Sequence, residues 1–135
     1  MRYGAEWGKL VVYRTYRRKV HQMPLEHQDW QSETSVITLR GALILGPECA
    51  QMATLVPELL RNGRKNLVFD LSGVTHIDST GIGGFIDAYS RVGQAGGEMR
   101  LAGASGMVRD SFRVTRLDTV FRFYPTVEAA CQDLA

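Results

Sequence analysis

The chain lacks any long apolar run. No stretch of its 135 residues approaches the roughly 18 consecutive apolar residues that cross a bilayer as a helix, so no transmembrane segment is expected. It also lacks the order of a secretory leader: Leu10-Val11-Val12-Tyr13 is too short for a hydrophobic leader core, and a basic run follows it. Cysteine is scarce. Cys49 and Cys131 have no metal-ligand spacing, and without an export signal they are expected as reduced thiols in a cytoplasmic protein. His21, His27 and His76 fall in unrelated contexts, so no metal site can be built from them. Gly81, Gly83 and Gly84 fit neither G-x-x-x-x-G-K-[ST], whose lysine is missing, nor G-x-G-x-x-G. No cofactor is expected. Repeats and low-complexity segments are absent too.

What is present is the composition of an ordinary globular chain, 44% hydrophobic and 22% charged, sufficient for one core and most simply one domain. The charge is unevenly placed. Residues 1–22 carry Arg2, Lys9, Arg14, Arg17, Arg18 and Lys19 against Glu6, whereas the remaining 113 residues carry ten basic and thirteen acidic side chains. The sequence therefore divides into a basic extension, 1–22, and a compact domain, 23–135, with Met23-Pro24 at the boundary. A basic arm containing aromatics suits nucleic acid or an acidic membrane. This one holds a single short run and no recognised binding motif, so a solvated extension is preferred and direct nucleic-acid contact is not expected.

From Thr34 the pattern alternates between strand and helix signals. TSVITLR (34–40) reads as a strand, and ALIL (42–45) as its continuation or a short second strand. A helix follows Pro47, which suits a first turn; Met52, Leu55, Val56, Leu59 and Leu60 mark its apolar face, and Asn62-Gly63 stops it. Pro57 lies inside, so a kink or late restart is expected. NLVFDL (66–71) is a strand covered on both faces. The next helix, 80–94, is read with Ile82, Phe85, Ile86, Tyr89 and Val92 on its buried face. EMRLAG (98–103) is a strand, and Ser105 is placed to cap a helix over 106–114 with Met107, Val108, Phe112 and Val114 inward. VFRFY (120–124) is a last short strand, and Pro125 opens a last helix with Val127, Ala130, Cys131 and Leu134 apolar. Short loops between alternating elements indicate an α/β sheet covered by helices, with 66–71, 80–94 and 98–103 forming a right-handed parallel crossover.

The chemistry-bearing stretch is HIDSTGIGG (76–84), just beyond the carboxyl end of a central strand, where such sheets place their sites. His76, Asp78 and Ser79 invite a hydrolase reading, but a triad needs side chains converging from different elements, and G-x-S-x-G is absent. A hydroxyl at a helix start instead sits among unpaired backbone N–H groups at the positive end of the dipole, a place that accepts a phosphate. The residues leave both readings open: a modification site, or a plain helix cap by Asp78, Ser79 or Thr80. Arg109, Arg113 and Arg116, at i, i+4 and i+7, are a candidate basic face.

NLVFDLSGVTHIDSTGIGGFIDAYSRVGQAGGEMRLAGAS, followed by RVTRLDTVFRFYPTVEAA, resembles the STAS domain of anti-sigma factor antagonists: an apolar strand, a short loop, D-S-[ST]-G-[IL]-G, a helix and a G-G-E strand. The likeness runs from about Thr34 to Leu134. It implies an α/β STAS fold, a mixed four- to five-stranded sheet with about four helices packed on it, and a regulatory protein that is not an enzyme and has no catalytic residues. It further implies that Ser79 is phosphorylated by a partner that is both anti-sigma factor and serine kinase, a histidine-kinase-like ATPase. The unphosphorylated form then binds that partner and frees the sigma factor, and a serine phosphatase resets the switch. Asp78, Thr80, Gly81, Ile82 and Gly83 are the implied partner-binding residues. The alternative is a non-catalytic STAS subunit of a membrane-associated transporter or stress-sensing complex. One departure stands out: many relatives carry G-x-L-D before the first helix, where this chain has Gly41-Ala42-Leu43-Ile44-Leu45-Gly46 and no aspartate.

Because the charge imbalance and the patterning change together near Met23, a chain beginning at Met23 is expected to fold with nearly unchanged melting temperature. A loss equivalent to about 1 kcal/mol, roughly 4 °C for a domain of this size, would show that residues 1–22 pack on the domain.

Overall fold

A computed structural model describes residues 26–44 and 47–134. The basic extension, its boundary at Met23 and the end of ALIL lie outside these residues. Five strands, β1 (Glu26–Gln31), β2 (Thr34–Leu43), β3 (Asn66–Ile77), β4 (Met99–Ala102) and β5 (Arg122–Tyr124), lie in the order β1-β2-β3-β4-β5. The β1–β2 pair is antiparallel and the others are parallel. Four helices, α1 (Pro47–Arg61), α2 (Ser79–Gln94), α3 (Gly106–Val114) and α4 (Val127–Cys131), complete the described fold with a 3-10 turn at Leu117–Thr119. This is the mixed α/β sheet that the sequence implies.

Strand periodicity explains the two-sided core. In β3, Leu67, Phe69 and Leu71 enter a large cluster with Met52, Leu55, Phe85 and Phe112 from α1, α2 and α3, while Val68 faces the other way, toward Trp30, Val36, Ala130 and Cys131. β3 is thus apolar on both faces, as its continuous run requires. Edge-to-face aromatic contacts tie the large cluster together: Phe69 meets Phe85 at 5.2 Å, and Phe112 meets Phe123 at 5.3 Å.

Several expectations change. β1 was not legible, because EHQDWQ is mostly polar; only His27 and Trp30 are buried, and pairing with β2 supplies the order. Of the two readings of ALIL, the structure takes the continuation: it begins as the end of β2. α1 runs through Pro57 without restarting; the carbonyl that loses its donor belongs to Ala53, an exposed residue. Ile86 and Tyr89 are 47% and 43% exposed, and α2 turns Gly81, Ile82, Phe85, Ala88 and Val92 inward instead. Small residues let the helix approach the sheet most closely, so the glycine–alanine side wins over the bulkier one. In α3, Val108 and Phe112 point inward while Met107 and Val114 are exposed; at 3.6 residues per turn the latter two sit together, about 100–120° round from Val108. Ser105 stands at the N-cap without a side-chain capping bond. The last helix starts after Thr126, whose hydroxyl accepts from the Ala129 N–H at 3.1 Å, rather than at Pro125.

Among the described residues, one arginine sits inside. Arg100, in β4, has a side chain only 4% exposed, and lies on the α4 side of the sheet, where its Nη1 donates to the Ala130 carbonyl at 2.9 Å and to Asp133 at 2.6 Å. Glu98 approaches it at 3.3 Å, and the Tyr124 ring lies 5.2 Å away. Burial pulls the Arg100 pKa down, but the hydrogen bond to Asp133 and the field of Glu98 outweigh it and the net direction is upward. Correspondingly, Arg100 holds the exposed Asp133 carboxyl below its ordinary value. Burial pushes the neighbouring Cys131 thiol up to about 12, with Arg100 opposing, so it stays protonated. At the other edge, burial lowers the pKa of His27 against the opposing fields of Asp29 and Glu58, with Arg64 adding to the fall.

Both lowered groups make acid destabilising. His27 stabilises the fold above its ordinary value of 6.5 and loses that contribution as pH falls from there; Asp133 does the same below 3.8. Urea denaturation across pH should show stability falling in both windows. Asp133→Asn should flatten the lower window and leave the upper one unchanged; an identical lower window in that variant would sever the link.

Candidate functional site

The site is built where the sheet hands over to α2. β2 and β3 run parallel to the end of both strands, with Leu43 opposite Ile77. The chain then leaves the sheet at Asp78, whose extended backbone (φ −113°, ψ −171°) makes it the N-cap. Its Oδ1 accepts from the Thr80 N–H at 2.9 Å and the Gly81 N–H at 3.1 Å, and its carbonyl accepts the first helical bond, from Ile82 N–H at 3.0 Å. Its own N–H donates to the Leu43 carbonyl at 3.2 Å. The same carbonyl explains Gly81: a Cβ there would lie 2.5 Å from Leu43 O and 2.8 Å from Ile77 Cγ1. No side chain fits.

The sequence-implied residues separate by depth. Ser79 and Gly83 are exposed, Asp78 and Thr80 are half-buried, and Gly81 and Ile82 are buried in the joint. Capping falls to Asp78, so the Ser79 hydroxyl stands at the first helical position without that task. Gly84 faces Met52, whose Cε would lie 2.5 Å from an added Cβ, whereas a Cβ on Gly83 would meet nothing within 4 Å. The glycines therefore do different things: Gly81 and Gly84 permit packing, and Gly83 leaves the surface beyond Ser79 bare.

The hydrolase constellation does not assemble. His76 Nδ1 lies 3.0 Å from the Thr75 hydroxyl, and Asp78 turns to backbone N–H groups. The arginines do not form one face either: Arg109 stacks over the Phe123 ring at 4.0 Å, Arg113 pairs with Asp110, and Arg116 lies beyond α3 with a left-handed φ of 63°. Among the described residues no group of three His, Cys, Asp or Glu is placed to hold a metal, and no helix is long and apolar enough to cross a membrane. The sequence reading missed Leu43. Its signal was the apolar end of β2, but only the pairing of β2 with β3 brings its carbonyl to the helix start.

This strand-end, Asp cap and buried glycine meet a family pattern over most of the chain. The STAS domain family profile matches residues 28–130. The protein belongs to the STAS domain family. As a STAS domain it is similar to several solved structures. The anti-sigma factor antagonist candidate TM1081 of Thermotoga maritima is 19% identical, with a TM-score of 0.74, over 82% of this chain and 93% of that one. The Bacillus cell fate determinant SpoIIAA in its phosphorylated form is 19% identical, with a TM-score of 0.68, over 82% and 99%. A sulfate transporter family protein from Wolinella succinogenes is 14% identical, with a TM-score of 0.66, over 74% and 83%. At these identities the likeness is one of fold. No curated protein sequence matches the chain at a significant level.

The joint should be sensitive to its two special residues. Asp78→Ala should cost about 1 kcal/mol as a lost cap, and Asp78→Asn much less. Gly81→Ala should cost about 1–3 kcal/mol by overpacking. Chemical denaturation measures all three; a neutral Gly81→Ala would mean that the Leu43 carbonyl is free to move away.

Proposed function

We propose that this STAS domain is an anti-sigma factor antagonist, a binding protein switched by phosphorylation of Ser79. The observation that carries the reading is the division of labour at the α2 N-terminus: Asp78 caps the helix, and the adjacent Ser79 hydroxyl is left exposed beside a glycine, Gly83, that no packing contact requires. Helix-interior glycine is less stable than alanine by about 0.5–1 kcal/mol, so a bare position there is consistent with a surface that must admit another protein's backbone. That SpoIIAA exists in unphosphorylated and phosphorylated forms supports a switch of this kind on this fold.

In this reading the chain is the substrate of a partner that is both anti-sigma factor and serine kinase of the histidine-kinase-like ATPase type. The Ser79 Oγ attacks the γ-phosphorus of the partner's ATP, its proton passes to a base of the partner, and ADP leaves. A serine phosphatase reverses the step by hydrolysis. Asp78, Thr80 and Gly83 frame the docking surface, while Gly81 and Ile82 act from below by fixing the turn. The Thr80 and Gly81 N–H groups are already taken by Asp78, so a phosphate on Ser79 gains little from them and remains a solvated surface anion. Phosphorylation therefore acts on binding: the docked partner would have to desolvate a charge of about −1.5 to −2 beside the Asp78 carboxylate. The similarity to a transporter-family protein keeps a second role in view, a non-catalytic STAS subunit of a membrane-associated assembly, in which Ser79 accepts no phosphate.

Recovery of the partner from the native cell, incubation with ATP and mass spectrometry test the reading. Phosphate is expected on Ser79 of the wild type and of Thr80→Ala, and on neither residue of Ser79→Ala, which still binds. Ser79→Asp should weaken binding at least tenfold, about 1.4 kcal/mol, with stability changed by less than about 0.5 kcal/mol. Gly83→Ala should stabilise the fold by about 0.5–1 kcal/mol, and Gly83→Phe should fold but bind poorly. Phosphate on Thr80, or on no residue, overturns the switch.

A further inference from the structure

At the end of α2 remote from Ser79, a cleft of about 420 Å³ opens between the last turns of the helix and the amino ends of β4 and β5. Tyr89 and Val120 line it, and both are large apolar side chains left 43% and 42% exposed. Tyr89 is held edge-on against Phe121, with ring centroids 5.4 Å apart, and the buried Met99 contributes to the lining from β4. The volume falls within the range of about 300–1,000 Å³ typical of small-ligand sites.

Two glycines on this cleft have different causes. Gly97 is required by the fold, because a Cβ there would lie 1.8 Å from the Lys65 carbonyl oxygen. Gly93 has no such reason: it lies in the last turn of α2, and an added Cβ meets nothing within 4 Å. What its missing side chain does is keep the cleft open. The charged end is Glu98 and Arg122, paired at 2.9 Å. Glu98 also serves the buried Arg100 at 3.3 Å. Arg100 has Asp133 as its nearer carboxylate, and Arg122 meets Glu98 through Nη1 alone, so Arg122, whose side chain is 65% exposed, keeps N–H donors for a second anion, and its planar fork matches a carboxylate.

We propose that this cleft binds a small aromatic carboxylate, its ring between Tyr89 and Val120 and its carboxylate on Arg122. The site is independent of the Ser79 surface and stands without the functional reading above. The probe is 1-naphthoate, titrated into the full chain while backbone amide shifts are followed. Saturable shifts are expected at Gly93, Gly97 and Val120, with the Ser79 and Thr80 amides unmoved. Gly93→Leu, which fills the cleft, should raise Kd at least about tenfold. Val120→Lys, which removes a wall, does the same and covers the case in which the leucine variant fails to fold. Arg122→Gln should weaken 1-naphthoate while leaving the neutral 1-naphthalenemethanol unchanged. Absent or scattered shifts at millimolar probe, affinity unaffected by filling the cleft, or equal loss of both probes in Arg122→Gln would each overturn the proposal.

Discussion

The Leu43 carbonyl is the contact on which the described architecture of the site depends. It ends β2, accepts the Asp78 N–H from the chain leaving β3, and lies so close to α2 that only glycine fits at position 81. A buried or half-buried carbonyl must find a donor, and here the donor is supplied by the residue that caps the next helix. Strand pairing, helix start and glycine are therefore one arrangement rather than three. It fixes where Ser79 emerges without making Ser79 part of the scaffold.

Under the proposed switch, that separation would let the surface change state while the fold does not. The residues that hold the turn, Asp78, Gly81 and Ile82, are wholly or partly buried, and those that face outward, Ser79 and Gly83, have no described packing role. A charge added at Ser79 lies beside the Asp78 carboxylate throughout; in the free protein solvent screens it, and a docked partner would remove that solvent. The free energy of such a switch therefore lies in the interface. The other charged centre follows the opposite logic: Arg100 is deep in the sheet, and its bonds to the Ala130 carbonyl and to Asp133 just beyond α4 fasten that helix across the second face. The Arg100 guanidinium is the buried member of these pairs, so loss of a partner leaves a buried charge less compensated, which marks that side of the molecule as scaffold.

α2 joins two surfaces of different character. Its first turns present Ser79 and bare Gly83, and its last turns present Tyr89 and bare Gly93. Between them its inward face is packed on β3 and α3 through Phe85. Glycines with open space above them stand near both ends, Gly83 in the second turn and Gly93 in the last, and neither is explained by what lies beneath.

The alternation of apolar runs and helical periods determined the α/β class, the central two-sided strand 66–71 and the order of elements from Thr34 onward, because burial on the period of a strand or helix is written locally. D-S-T-G likewise determined a helix start with a hydroxyl beside a cap. What it left open was which residue caps, and geometry assigned that to Asp78. Only the tertiary structure decided that EHQDWQ is a strand, since its order comes from pairing with β2 rather than from its own polar residues. It also decided that Ile86, Tyr89, Met107 and Val114 face outward: an apolar period fixes a helical stripe, but which edge of the stripe meets the sheet depends on how closely small residues such as Gly81 and Ala88 let the helix approach. The different fates of Gly81 and Gly83 were settled in the same way, by a carbonyl 38 positions earlier in the chain that only the parallel pairing of β2 with β3 brings beside one and not the other.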